Sequence, residues 1–186
     1  GADDSHVDTI FNGASDNATG IAALIELGRA FATTKPRPER SVMFVAVTAE
    51  ESGLLGSQHF AENPPAPVAN MAGGLNMDNL YAIGRTRDLT IIGYGASELD
   101  DYLRRAAAKQ DRVLVPEPTP EKGFYYRSDH FNLAKHGVPM LYTKSGIDSP
   151  TLGAEYGKQW LADYTAKQYH QVTDEYSPDW DVSGTL

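Results

Sequence analysis

Ser41-Val42-Met43-Phe44-Val45-Ala46-Val47 is an almost unbroken apolar run, and it leads straight into Thr48-Ala49-Glu50-Glu51-Ser52-Gly53. A short continuous run of this kind reads as a strand covered on both faces, which suits a sheet sandwiched between helices. Its end breaks the pattern. Two adjacent carboxylates at the tip of a core strand are costly unless they are paired or bound to a metal. Neighbouring side chains on a regular strand point to opposite faces, so Glu50 and Glu51 serve one site only if the chain turns there. Ser52-Gly53 permits that turn.

Working outward, Leu89–Gly95, Arg112–Val115 and Pro139–Thr143 read as further strands, with Ala72–Asp78 as an additional candidate. Helical spacing appears between them. Residues 18–32 place Ile21, Leu24, Ile25 and Phe31 on one stripe, with Asp16 or Asn17 as the cap. Residues 97–109 open on Ser97-x-x-Asp100, close to a capping box, and carry Leu99, Tyr102, Leu103 and Ala106 on one face. Residues 128–136 form a third helix stopped by Gly137 before Pro139, and His59 falls in another. Residues 116–127 and 144–159 lack periodicity and read as long loops. Strands alternating with helices predict a layered α/β fold with a largely parallel sheet, whose ligands gather beyond the carboxyl ends of strands.

Composition narrows the chemistry. The chain has 186 residues, one domain's worth, and no cysteine, which removes disulfides, thiolate nucleophiles and every cysteine-based metal site. The net charge of −9 argues against binding a phosphate backbone. No apolar run approaches the roughly 20 residues of a membrane span. The opening Gly1-Ala2-Asp3-Asp4-Ser5 is polar and acidic, unlike the apolar stretch of a leader.

The motif of Glu50 and Glu51 recurs in kind. Leu75-Asn76-Met77-Asp78 is an apolar segment closing on a carboxylate, and Gly13-Ala14-Ser15-Asp16-Asn17 delivers Asp16 to a helix start. Taken singly, Asp16 is an ordinary cap and the Glu pair an ordinary solvated loop. Three element ends presenting carboxylates at the expected ligand edge point instead to a hydrolytic metal site. Of the five histidines, His130 follows Ser128-Asp129 and His170 opens His170-Gln171-Val172-Thr173-Asp174. A ligand histidine usually hands its other ring N–H to a carboxylate, and Asp174 can do so for His170. His59 and His136 read as surface or packing residues.

GASDNATG (13–20), VTAEESGLLGS (47–57), LNMD (75–78), YRSDHF (126–131) and YHQVTDEY (169–176) together resemble the dinuclear zinc aminopeptidases, a family that includes glutamate carboxypeptidase and glutaminyl cyclase. The likeness runs in order from about Asp8 to the C-terminus. It implies a three-layer α/β/α sandwich with a mostly parallel mixed sheet. Carried over by motif, Asp16 matches the aspartate bridging two metals, Glu50 the general base, Glu51 and His170 ligands of one metal, and Asp78 a ligand of the other. Tyr169 matches a tyrosine that in some members polarises the substrate carbonyl. His130 and Asp174 fall around the ligands, and Tyr126 and Arg127 beside a substrate pocket. The resemblance implies zinc, two ions in a complete site, a peptide substrate with a free N-terminus, and a secreted or periplasmic protein.

One departure bears on that site. The family's first metal histidine stands in a His-x-Asp at the end of an apolar strand. His6-Val7-Asp8 fits the letters but follows GADDS and stands only ten positions before Asp16. We therefore read the chain as a single catalytic domain that starts downstream of the true ligand and lacks the family's N-terminal strands and closing helix. His6 as a replacement ligand is the alternative. On this reading the chain holds one metal well, through Asp16, Glu51 and His170, and the second poorly. A carboxypeptidase or glutaminyl cyclase on the same scaffold, or an inactive metal-binding fragment, are the competing functions. Arg127 and Lys144 are the candidate partners for a terminal carboxylate.

Overall fold

The computed structural model describes residues 8–184; His6 lies outside the described residues. Four strands form one open mixed sheet: β1 (Gly74–Asn76), β2 (Asp88–Ile92), β3 (Val113–Pro116) and β4 (Met140–Ser145), in the order β1-β4-β2-β3. β1 runs parallel to β4 and β2 parallel to β3, while β2 and β4 are antiparallel. Each matches an apolar run in the sequence. The core lies along the two central strands, where Ile91, Ile92, Met140, Leu141 and Tyr142 are buried together with Val138 and Ala107.

Five α-helices accompany the sheet: α1 (Thr19–Thr33), α2 (Leu55–Glu62), α3 (Leu99–Ala108), α4 (His130–Lys135) and α5 (Gly153–Lys167). α3 packs on β3 and β4, α4 on β1 and β4, and α2 on α4. α4 stops as its sequence predicts: Gly137 takes a left-handed φ of +82°, Val138 N–H donates to the Leu133 carbonyl, and Pro139 leads into β4. Among the described residues no helix is long and apolar enough to cross a membrane.

Three expectations are corrected. Residues 41–47 join no ladder among the described residues, and Val42, Met43 and Phe44 are exposed. A continuous apolar run signals a strand only where neighbouring strands exist to pair with it, and β1 pairs with β4 alone. The apolar stripe of α1 is likewise exposed at Ile21, Ile25 and Phe31, and Phe31 meets Phe44 edge-on at 5.9 Å. The stretch 144–159 is not a loop: it holds the end of β4 and the first two turns of α5. Gly153 and Gly157 disguise that helix. Gly157 is needed because a side chain there would strike the Ile147 carbonyl.

Truncating Ile91, which is 1% exposed at the centre of β2, is expected to cost about 2–5 kcal/mol as Ile91→Ala. Phe44→Ser should cost within about 1 kcal/mol. Urea unfolding monitored by circular dichroism measures both, and equal costs would mean that the 41–47 segment is core.

Candidate metal centre

Because β1 and β4 are parallel, with Asn76 opposite Tyr142, their carboxyl ends open on the same edge of the sheet. The chain leaves β1 through Met77-Asp78-Asn79 and meets the turn Ala14–Ala18 that precedes α1. That turn is not regular helix: Asp16 and Asn17 have φ, ψ of −115°, 88° and −137°, 42°. The Asn17 side chain joins the two segments. Its Oδ1 accepts from the N–H groups of Gly20 and Asn79, each at 3.0 Å, and its Nδ2 donates to the Met77 carbonyl at 3.0 Å. Ser15 Oγ donates to Asn79 Oδ1 at 2.9 Å, and Asn79 Nδ2 donates to the Tyr164 hydroxyl of α5 at 2.8 Å. From the other end of the chain, the buried Asp174 carboxylate accepts the N–H groups of Ser15 and Asp16, both at 3.0 Å.

The Glu50-Glu51 segment turns as its sequence requires. Gly53 and Leu54 N–H groups both donate to the Glu50 carbonyl, and Leu55 N–H to that of Ala49. Ala49, Gly53 and Leu54 take positive φ. Gly56 lies against the Thr48 backbone so closely that any side chain would collide with it. The reversal lets both glutamates reach one cleft of about 420 Å³, shared with Asp16, Asp78, Tyr169 and His170.

Within that cleft His170 Nε2 lies 2.9 Å from Glu51 Oε1 and 3.4 Å from Asp16 Oδ2. The donor atoms of Asp16, Glu51 and His170 all fall within 4.8 Å of one another. One imidazole and two carboxylates suit zinc, and three protein ligands leave a position open. Asp78 lines the same cleft, with its Oδ2 held by the Ser128 hydroxyl at 2.7 Å and the Tyr142 hydroxyl at 3.2 Å. Burial, and then repulsion from Asp78 and Glu51, pushes Asp16 up to about 6. Burial followed by Asp78, Glu51, Asp129 and Asp16 pushes Glu50 up to about 7. Carboxylates forced to retain protons in this way are relieved by a cation.

The model of peptidase family M28 matches residues 4–186. The chain belongs to peptidase family M28. Leupeptin-inactivating enzyme 1 of Streptomyces exfoliatus is 31% identical over 158 residues, covering 83% of this chain and 34% of that protein. A probable zinc metalloprotease of Pyricularia oryzae is 41% identical over 81 residues, covering 40% of this chain and 16% of that protein. Among solved structures, the LapA aminopeptidase of Legionella pneumophila superposes with a TM-score of 0.62 at 19% identity, over 83% of this chain and 45% of that one. The aminopeptidase of Aneurinibacillus sp. strain AM-1 gives 0.58 at 21%, over 89% and 42%. These two share the α/β fold. The chain spans about a third of the Streptomyces relative and less than half of either solved structure.

In this M28 chain the sequence-derived residues fall into three groups. Asp16, Glu50, Glu51, Asp78, Tyr169 and His170 come together in the cleft, with Tyr126 and Arg127 also on its lining. The Tyr169 ring stacks on His170 at 3.8 Å. Burial first, then the nearby acids, pushes its hydroxyl up to about 12, so it stays protonated. Asp174 supports the site through the backbone of Asp16 rather than through the His170 ring. His130 is buried outside the cleft lining, edge-on to Tyr125 and tilted against Tyr142, each at 4.8 Å. Asn79, Ser128 and Tyr142 escaped the sequence reading. Ser128 and Asn79 lie within or beside quoted motifs, whereas nothing local marks Tyr142, which acts from across the sheet.

Neither ring nitrogen of His130 finds a partner among the described residues. Burial holds its pKa down at about 4, against roughly 6.5 in an unfolded chain. The unfolded state therefore binds more protons between those values, and stability is lost as pH falls below about 6.5. His130→Phe removes this term. Urea unfolding at pH 7 and pH 5 should show the wild type losing about 2 kcal/mol more than the variant on acidification. Equal losses would place a charged histidine in the fold. Asp174→Ala is expected to cost about 3 kcal/mol, since two backbone N–H groups lose a charged acceptor. It should also weaken zinc binding by 10–100-fold, the usual range for groups that position ligands, as read by competition with a chelating dye.

Proposed function

We propose that the chain carries the active site of a zinc-dependent aminopeptidase, which hydrolyses the first peptide bond of a peptide with a free N-terminus. The observation that supports this reading is the pairing of two roles on one turn. Glu51 joins the Asp16–His170 trio, while Glu50 opens into the same cleft without belonging to it. Zinc held by Asp16, Glu51 and His170 supplies Lewis acidity and lowers the pKa of water.

The chain's own groups do the rest. Glu50, pushed up to about 7, accepts the proton of the attacking water and returns it to the departing amine, a role worth 10²–10⁴-fold. Tyr169 keeps its proton and donates its O–H to the carbonyl oxygen as negative charge builds there. Asp16, Asp78, Glu50 and Glu51 line the cleft with carboxylates, which suit the α-ammonium of a peptide's first residue. A second metal position would draw on Asp78 and the other oxygen of Asp16. The Ser128 and Tyr142 hydroxyls hold Oδ2 of Asp78, and with two carboxylates against the three groups of the other position this one is the weaker of the two.

Glu50→Gln should lower kcat on leucine p-nitroanilide by 10²–10⁴-fold with zinc content unchanged, and His170→Ala should lose the zinc. Absence of turnover in the wild-type chain as well would replace the enzyme reading with that of a metal-binding fragment. Elemental analysis after dialysis against limiting zinc should find one ion per chain. Two tightly held ions would overturn the one-strong, one-weak assignment.

A further inference from the structure

The cleft also holds two cations, and the Lys144 ammonium feels the charges of Asp78, Asp16 and Glu50 without touching them. Lys144, at the carboxyl end of β4, and Arg127, just after the turn Phe124–Tyr126, both line it. Both lie against the same ring: Lys144 Nζ is 5.8 Å from the Phe124 centroid and Arg127 Cζ is 5.6 Å from it. Lys144 Nζ is also 5.7 Å from the rings of Tyr81 and Tyr142, so its ammonium sits in an aromatic surround. Among the described residues neither cation makes an ion pair within 4.0 Å, and neither side chain donates a hydrogen bond. The ion pairs that Lys and Arg make among the described residues are all surface pairs.

Two positive groups held against one aromatic ring repel one another, and aromatic faces offset only part of that cost. A planar guanidinium and a point-charge ammonium together make a recognition pair for a carboxylate.

We propose that Lys144 and Arg127 bind a carboxylate of the substrate, so that the cleft takes a zwitterionic ligand with its ammonium towards the acids and its carboxylate towards this pair. The carboxylate has two sources: an acidic side chain on the first residue, or the terminal carboxylate of a very short peptide. The inference borrows from the aminopeptidase reading only the place where substrate lies, and its test is binding rather than turnover.

The experiment is calorimetric titration of the zinc-loaded chain with three probes of one skeleton. Isoglutamine keeps only the side-chain carboxylate, glutamine only the α-carboxylate, and glutaminamide neither. The expected result is that one carboxylate probe binds tenfold or more tightly than glutaminamide, and the probe that gains identifies the source. The gain should vanish in Lys144→Met and fall several-fold in Arg127→Gln, with zinc content and thermal midpoint as controls on folding. If the three probes are indistinguishable, or none binds, the proposal is overturned. It is equally overturned if the gain survives in both variants, because the metal rather than the cation pair would then be reading the carboxylate. A Lys144-dependent gain in a chain that hydrolyses nothing would keep this inference and reject the aminopeptidase reading.

Discussion

The site depends on one buried carboxylate that lies outside the cleft lining. Asp174, 2% exposed, receives the N–H groups of Ser15 and Asp16 and so fixes the irregular turn that presents Asp16. Burying a charge is tolerable only with such hydrogen bonds, and two backbone donors supply them at short range. The contact joins residues about 160 positions apart. It also ties the Asp16 turn to the segment that carries His170, because Asp174 N–H closes a turn onto the Gln171 carbonyl. The segments that carry Asp16 and His170 are therefore tied to one another. Loss of this carboxylate would leave both N–H groups unsatisfied and let the ligands part.

Against that brace works a crowd of like charges. Asp16, Glu50, Glu51 and Asp78 share one cleft. At an effective dielectric of about 20, two such charges about 5 Å apart repel by roughly 3 kcal/mol. Burial first, and then this repulsion, raises Asp16 to about 6 and Glu50 to about 7. A divalent cation changes its sign, turning mutual repulsion into shared attraction. The fold therefore stores a preference for metal in its polar framework. Asn17, Asn79 and Ser128 keep the backbone and side chains of the acidic residues from relaxing apart.

Much of this was legible in the sequence, for a physical reason. Apolar runs that end on Glu50 or Asp78, and a glycine turn that ends on Asp16, contradict the expectation for solvated surface, and contradiction is what local sequence displays well. The strands β2, β3 and β4 and the stop of α4 at Gly137 were legible too. Residues 41–47 and the stripe of α1 were misjudged because burial belongs to the partner as much as to the run. α5 was hidden by Gly153, which starts it with a left-handed φ of +77°, and by Gly157, which serves a backbone approach to Ile147 rather than a loop. Asp174 was correctly placed near the site but given the wrong partner, because adjacency in sequence favoured His170 and only the fold brings Ser15 and Asp16 within reach.

The misjudged run sharpens one point about the catalytic turn. If Glu50 owed its position to a strand ladder through residues 41–47, an unpaired run would leave it adrift. Its position is instead secured from the far side. Asn132 of α4 is buried, and its Nδ2 donates to the Leu54 carbonyl at 3.1 Å and to Ser57 Oγ at 2.9 Å. Ser57 in turn donates to the same Leu54 carbonyl at 3.1 Å. Leu54 closes the reversal onto Glu50, so α4 holds the turn through these side-chain bonds, and α4 itself packs on β1 and β4. Glu50 is thus registered to the sheet edge that carries Asp78 by side-chain hydrogen bonds between α2 and α4, with no ladder through the run that leads into it.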